Sequence, residues 1–193
     1  KTGEVFIRIT AKAQDAAAAG AMCRAFAGEF YAVLGDAIYG EDSETLAAAA
    51  VHALQKTGAT AATAESCTGG LVSAALTDVP GASEVFGFGA CTYSNEQKMR
   101  VLGVSAETLR QYGAVSAETA AEMAQGGRRA AGADFGIGIT GIAGPGGGTK
   151  EKPVGLVFLA AACENKVYVQ KLLMENRTRG TVRQFSAKYA LEM

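Results

Sequence analysis

Apolar side chains recur at two different periods near the start of the chain. In residues 4–10, "EVFIRIT", they alternate with other side chains, which is the period of a strand. From Met22 to Leu34 they recur every fourth residue, which predicts a helix that Gly35 ends. A short "DAIYG" follows as a possible second strand. These elements bury too little surface to fold alone, so we expect residues 1–40 to be a small βαβ remnant of a lobe.

Strands and helices alternate through the rest of the chain. Asp42 or Ser43 is expected to cap a helix whose buried stripe runs from Leu46 to Leu54. Five later stretches are predicted strands: "ATAATAE", "VFGFGACTYS", "DFGIGIT", "VGLVFLAAA" and "KVYVQKLLM". This alternation predicts an α/β fold for residues 41–193, namely a three-layer α/β/α domain with a mixed sheet.

Composition narrows the class of protein. The 193 residues are 49% hydrophobic and carry a net charge of −1, so the chain is globular and has no basic surface for nucleic acid. Its four cysteines are far apart and indicate reduced thiols in a cytoplasmic protein. With one histidine, no metal site is expected. The longest uncharged run, residues 135–149, is interrupted by glycines and a proline, which excludes a spanning helix.

The stretch "ESCTGG" places hydroxyl and thiol groups where a strand should meet a helix. In open α/β sheets, such a corner is the usual place for a ligand. Gly69 and Gly70 are expected to leave the helix N-terminus bare, so that its N–H groups face an anion or a developing oxyanion. The alternative is an ordinary N-cap at Ser66, Cys67 or Thr68 with a close helix–strand contact at the glycines.

The loop "TGIAGPGGGTKEKPVG" is a second candidate. Its glycines, between Thr140 and Gly148, allow the backbone to approach a ligand closely, as in phosphate-binding loops. Neither a Walker motif nor G-x-G-x-x-G at the start of a helix is present. The alternative is a mobile hairpin-like connection.

A hydroxyl nucleophile needs a base, and the chain offers few. His52, the only histidine, lies off the predicted buried stripe of its helix, so a Ser-His-Asp triad is not expected. Lys98 lies about one helical turn beyond a strand end and is a candidate base, if burial lowers its pKa from about 10.4 toward about 7 to 8. Cys67 is an alternative nucleophile to Ser66. Adjacent residues at a strand end point to opposite sides, so one of the two faces the site.

Three motifs, in this order, are similar to the C-terminal domain of the CinA family, the competence/damage-inducible proteins: "AESCTGGLVSAALTDVPGAS", "YSNEQK" and "GITGIAGPGGGTKEKPVGLVF". The resemblance covers residues 42–193. Residues 1–40 resemble, less specifically, the KH-like middle lobe of the long CinA proteins. We therefore expect the N-terminal domain of the long form to be absent from this chain.

The resemblance implies an enzyme, a nicotinamide-nucleotide amidohydrolase that converts nicotinamide mononucleotide and water to nicotinate mononucleotide and ammonia. It makes Ser66 the nucleophile, Lys98 the base and Tyr93 an assisting hydroxyl. The implied substrate contacts follow the same motifs: Glu65, Thr68, Gly69, Gly70, Thr140, Gly141, Gly144, Gly146, Gly147 and Arg179. The family also has an arginine in an R-x-x-V-R stretch near its end, which Arg179 and Arg183 match here in "RGTVR". The preceding residues, "ENRTR", lack the Gly-Asp that the family usually shows.

The implied reaction needs no cofactor, and its partner is a small nucleotide rather than nucleic acid or a membrane. We also expect a homo-oligomer. A non-catalytic nucleotide-binding or regulatory module is the alternative function, and loss of Ser66 or Lys98 with the glycine loops retained would favour it.

Overall fold

The computed structural model of the chain describes residues 4–193. The chain divides into two compact units, residues 1–45 and 46–193. The predicted boundary, between residues 40 and 41, lies close to this division.

In the first unit the predicted helix is present and the predicted strands are not. Helix α1, Ala16–Leu34, begins after the N-cap Asp15 and ends at Gly35, which has φ 50°. Residues 4–10 form no strand, and the "DAIYG" segment begins in a short 3-10 turn. The Tyr39 hydroxyl donates to the Glu4 carboxylate at 2.6 Å, which joins the two segments by a side-chain hydrogen bond. Alternation alone does not make a strand, which also needs a neighbour with which to share a ladder.

The second unit contains the remaining elements of the described chain. Its five strands are β1 Ala61–Glu65, β2 Phe86–Cys91, β3 Phe135–Gly141, β4 Leu156–Ala162 and β5 Val167–Leu173. Its six α-helices are α2 Leu46–Thr57, α3 Leu71–Thr77, α4 Asn95–Leu102, α5 Ala106–Tyr112, α6 Ala117–Ala131 and α7 Arg179–Leu191, and a 3-10 helix spans Ala82–Glu84. Helix α2 begins at Leu46, so neither Asp42 nor Ser43 caps it, and that expectation is wrong. His52 is exposed, as its position off the stripe predicts.

The strands form one mixed sheet in the order β2-β1-β3-β4-β5. Strand β1 pairs in parallel with β2 and with β3, while β3–β4 and β4–β5 pair antiparallel. Helices α2, α3 and α7 contact one another on one side, and α6, with α4 and α5 against it, covers the other. The predicted three-layer α/β/α domain with a mixed sheet is therefore confirmed.

Each face of the sheet has its own packing. Ile139 of β3 and Leu159 of β4 belong to the core beneath α2, α3 and α7. On the other face, Gly136 and Gly138 let α6 lie directly against the backbone. A Cβ at these positions would lie 2.1 Å from the Ala124 oxygen and 2.3 Å from the Ala120 oxygen, respectively. The glycines of "DFGIGIT" are thus required by the close approach of a helix.

The parallel strands position the candidate site. Because β1, β2 and β3 run in the same direction, their carboxyl ends meet at one edge of the sheet. The chain leaves β1 toward β2 on one side and later returns to β3 on the other, so this edge is a topological switch point. The stretches that follow these strands, residues 66–70, 92–94 and 142–155, therefore converge there.

Candidate active site

Ser66 and Lys98, predicted as a nucleophile and its base, lie together at this edge. Lys98 Nζ is 3.0 Å from Ser66 Oγ, although 32 positions separate the two residues along the chain. Lys98 is on α4 and is 1% exposed, while Ser66 directly follows β1 and is 8% exposed. Helix α4 begins where its N-cap, Ser94, accepts a hydrogen bond from the Gln97 amide.

The surroundings of Lys98 lower the pKa of its amine. Its Nζ donates to the carbonyl oxygen of Thr92 at 2.8 Å and, at 3.5 Å, faces that of Tyr93. Burial lowers the pKa of Lys98 from its ordinary value of 10.5, against the opposing effect of two thiols nearby. A neutral amine has two N–H groups and one lone pair. In that neutral form, with both N–H groups directed at carbonyls, the lone pair would face the hydroxyl of Ser66, whereas the ammonium donates to the same oxygen at 3.0 Å.

Cys67 lies on the other side of the turn, in the apolar core. It is 5% exposed and belongs to the cluster beneath α2, α3 and α7. Burial raises the pKa of its thiol to about 11, which keeps the thiol protonated near neutral pH. Adjacent residues were expected to point to opposite sides, and Ser66 is the one that contacts Lys98. The geometry therefore disfavours Cys67 as the nucleophile.

The amides at the beginning of α3 are occupied. Glu65, fully buried at the end of β1, accepts hydrogen bonds from three of them, at 3.0, 3.2 and 2.9 Å: Gly70, Val72 and Ser73. The Gly69 amide donates to the Ser66 carbonyl at 3.1 Å. The expectation that Gly69 and Gly70 leave this helix end bare is wrong, because a side chain of the preceding strand supplies the acceptor. Glu65 was predicted to contact the substrate, but its side chain is fully buried in this structure.

Arg183 holds the same turn from the side of α7. Its guanidinium donates to the carbonyl of Cys67 at 3.1 Å and to that of Thr68 at 2.8 Å. Sequence reasoning noted Arg183 within "RGTVR" but assigned it no role. The one available signal was its position four residues after Arg179, which places both on one face of α7.

Arg179, predicted to contact substrate, joins two other parts of the site. It donates to the carbonyl of Gly144 at 2.8 Å and to the hydroxyl of Tyr93 at 3.0 Å. Tyr93 is 63% exposed at the end of β2, and its carbonyl faces Lys98. The last helix, the glycine-rich loop and the end of β2 thus meet around one guanidinium, close to the Ser66–Lys98 pair.

The glycine-rich loop is anchored at its far end as well. Lys152 Nζ donates to the carbonyls of Tyr112 and Val115 at 2.5 and 2.7 Å. Between this anchor and Gly144, the loop carries the predicted contacts Gly146 and Gly147, which are exposed. Its backbone is therefore available to a ligand, while its two ends are fixed.

Thr140 and Gly141, the other predicted contacts before this loop, complete β3. The Thr140 side chain is 1% exposed, and its hydroxyl donates to the Ala114 carbonyl at 2.6 Å. Gly141 pairs with Val157 of β4. Thr140 ties the end of β3 to the segment that precedes α6, and contact of either residue with substrate stays a prediction.

Two buried side-chain hydroxyls, those of Thr68 and Thr92, have no hydrogen-bond partner among the described residues. Thr92 also supplies the carbonyl that accepts from Lys98, and its amide extends the β1–β2 ladder by donating to the Glu65 carbonyl at 2.9 Å. Thr68 was among the predicted contacts, whereas Thr92 was not. Neither the period nor the spacing of the sequence identifies a residue that acts through its carbonyl.

Among residues 4–193, no group of three or more His, Cys, Asp or Glu residues is arranged to hold a metal ion. Over the same residues, no helix is both long enough and apolar enough to cross a membrane.

Comparison with known proteins identifies the second unit. Residues 43–193 match the family model of the CinA C-terminal domain. This chain belongs to the CinA family. A CinA-like protein of Desulfovibrio desulfuricans is 49% identical over 192 residues, which are 98% of this chain and 45% of that protein. A CinA-like protein of Kosmotoga olearia is 48% identical and covers 100% of this chain and 46% of its own length.

The fold of a solved CinA relative agrees with this assignment. The competence/damage inducible protein CihA from Agrobacterium tumefaciens has a TM-score of 0.76 and 43% sequence identity, covering 81% of this chain and 95% of its own. The chain spans about half the length of the curated CinA relatives it matches.

Proposed function

We propose that this chain hydrolyses the carboxamide of nicotinamide mononucleotide, giving nicotinate mononucleotide and ammonia. The observation that carries the proposal is the 3.0 Å contact between Lys98 Nζ and Ser66 Oγ, both buried. A serine hydroxyl is a weak nucleophile until a base removes its proton, and a buried lysine is such a base. The CinA motifs that imply this activity carry these two residues.

The proposed reaction begins with Lys98 as a neutral amine. Its lone pair takes the hydroxyl proton as Ser66 Oγ attacks the carboxamide carbon, which gives a tetrahedral intermediate. The ammonium of Lys98 then returns the proton to the amide nitrogen, and ammonia leaves as the ester with Ser66 forms. Water attacks this ester and Lys98 takes its proton. As the bond between the acyl carbon and Ser66 Oγ breaks, Lys98 passes that proton to Oγ, which restores the serine and releases nicotinate mononucleotide.

Stabilisation of the oxyanion differs from our first expectation. The amides of Gly69 and Gly70 are already engaged, so they are not free donors in this arrangement. Tyr93 brings a phenolic hydroxyl to the edge of the site, where Arg179 donates to its oxygen. This contact leaves the phenolic proton for the substrate, which supports Tyr93 as an assisting hydroxyl.

The nucleotide phosphate is assigned to the region around Arg179. The exposed backbone of residues 146–148 lies in the loop that Arg179 anchors at Gly144. A guanidinium and glycine amides together are suited to a phosphate. Binding energy from this remote group would orient the carboxamide at Ser66.

The test is ammonia release from purified protein that is offered nicotinamide mononucleotide, with Ser66→Ala protein as the control. We expect release by the wild type well above the control, together with an equal amount of nicotinate mononucleotide. Binding of the nucleotide with release no faster than the control would favour a non-catalytic regulatory module and contradict the proposal.

A further inference from the structure

We propose that Glu65 is a positioning residue that sets the reactivity of Ser66 by fastening the strand end to the first turn of α3. This role rests on the proposed function, since it concerns the same nucleophile, and it differs from the substrate contact that the motif implied. The Glu65 carboxylate is directed at α3, whereas Ala64, the preceding residue of β1, packs against Leu102 of α4, the helix that carries Lys98. Glu65 therefore lies on the opposite side of β1 from Lys98.

The contacts of Glu65 close the nucleophile turn into a ring. One carboxylate oxygen accepts from the amides of Gly70 and Val72, and the other from the amide and the hydroxyl of Ser73, the latter at 2.7 Å. Residues 66–69 are therefore bracketed between the last residue of β1 and the first turn of α3. Four donors converge on two oxygens, so the carboxylate fits this place closely.

Within the ring, the backbone of Ser66 is fixed at both of its polar groups. Its amide donates to the Ile139 carbonyl at 3.0 Å, and its carbonyl accepts from Gly69 at 3.1 Å. Gly69 and Gly70 both have positive φ, at 62° and 93°, conformations that glycine adopts freely and that need external bonds to hold them. Glu65 provides such a bond at Gly70 and so restricts where Ser66 Oγ lies relative to Lys98.

The chemistry of the contact makes glutamate specific. In Glu65→Gln one oxygen becomes an amide nitrogen, which has no lone pair to accept a hydrogen bond. Each oxygen of Glu65 faces at least one backbone N–H, so either orientation of the glutamine sets a donor against a donor. The first turn of α3 must then shift, and the 3.0 Å distance between Lys98 and Ser66 is no longer held.

The experiment compares Glu65→Gln with wild type in two measurements. The first is turnover of nicotinamide mononucleotide, where we expect kcat to fall about 10- to 100-fold with KM unchanged, as for a misplaced reacting group. The pH at which the rate is half-maximal should not move, because Glu65 is not among the groups that shift the pKa of Lys98. A KM that rises as kcat falls, or a displaced pH profile, would overturn the positioning role.

The second measurement does not depend on the substrate. A fluorophosphonate reacts with an activated serine, forming an O–P bond as fluoride leaves, and Lys98 takes the hydroxyl proton. Intact mass gives the labelling rate, which should fall by a similar factor in Glu65→Gln and to nothing in Ser66→Ala. If wild type labels at Ser66 but releases no ammonia, the proposed function fails while this inference is still decided. Equal labelling of wild type and Glu65→Gln overturns it.

Two further variants separate positioning from general stability. Asp134 makes comparable bonds at the start of β1, accepting from the amide and hydroxyl of Thr60 at 2.8 and 2.9 Å. Both bonds go to the same carboxylate oxygen, which asparagine would keep, so Asp134→Ala is the control. It should weaken β1 at its other end while kcat and labelling stay within about twofold of wild type. If Glu65→Gln does not fold, Ser73→Ala decides, since it removes one of the four bonds. A labelling rate for Ser73→Ala equal to that of wild type would then contradict the inference.

Discussion

Arg179 donates to the Tyr93 hydroxyl at 3.0 Å, across 86 positions of the chain. The same guanidinium holds the Gly144 carbonyl at 2.8 Å, which places the first turn of α7, the end of β2 and the glycine-rich loop around one charge. The candidate active site therefore includes the last helix of the chain, although the proposed nucleophile, Ser66, lies at the junction of β1 and α3.

Ser66→Ala should lower turnover of nicotinamide mononucleotide by a factor on the order of a thousand or more, because the covalent route is lost while the nucleotide still binds. Cys67→Ala is the matched control one residue away. It should lower turnover only slightly, since that thiol lies in the core. Steady-state kinetics and nucleotide binding measure both variants. A nearly normal serine variant beside an inactive cysteine variant would reverse the assignment.

The wild-type rate should rise with pH and reach half its maximum below 10.5, because burial lowers the pKa of Lys98 and the reactive form is the neutral amine. Lys98→Arg should be almost as inactive as Lys98→Ala, since a guanidinium does not lose its proton in this range. A pH–rate profile of all three proteins is the measurement. Substantial activity in Lys98→Arg would leave charge stabilisation as the sole role of this residue.

Lys98 should also make stability depend on pH. Its folded-state pKa lies below the unfolded value, so between the two the unfolded chain binds more protons. The free energy of unfolding should therefore rise with pH across this window, and Lys98→Met should lack that rise. Urea unfolding of both proteins from pH 7 to 10.5 gives the difference between them. Parallel curves would mean that Lys98 titrates alike in both states.

Arg179→Ala should lower kcat/KM far more for nicotinamide mononucleotide than for nicotinamide riboside. The riboside has no phosphate, so it has no phosphate contact to lose. Two substrates and two proteins form a cycle, with an expected coupling of about 1.5 to 3 kcal/mol for a charge-assisted hydrogen bond. The coupling free energy is calculated from kcat/KM of the two proteins with the two substrates. Equal losses for both substrates would give Arg179 only its observed role, that of holding Gly144 and Tyr93.

Gly138→Ala should lower the free energy of unfolding by about 1 to 3 kcal/mol, since the added Cβ would lie 2.3 Å from the Ala120 carbonyl oxygen and force α6 away. Gly87→Ala, also in a strand, is the control because a Cβ there meets nothing within 4 Å. It should be neutral or raise the free energy by about 0.4 to 1 kcal/mol. Similar losses in the two variants would show that general strand effects dominate.

The sequence by itself determined the order of elements in the second unit. The fourfold recurrence of apolar residues predicts α1, and the alternation of strand-like and helix-like stretches predicts all five strands, including β1, which is buried throughout and has no period of two. From the residues alone, Lys98 was a candidate base and either Ser66 or Cys67 the nucleophile, and the resemblance to the CinA motifs implied the pair Ser66 and Lys98.

Only the tertiary structure decided which segments pair as strands and which side chains meet which backbone groups. Residues 4–10 alternate like a strand and are not one, because a ladder depends on a neighbour rather than on the segment itself. The amides of α3 look free in the sequence, yet Glu65 occupies them, and Arg183 holds the carbonyls of Cys67 and Thr68 from a distant helix. Such contacts join side chains to backbone groups that every residue carries, so only the folded chain selects which of them meet.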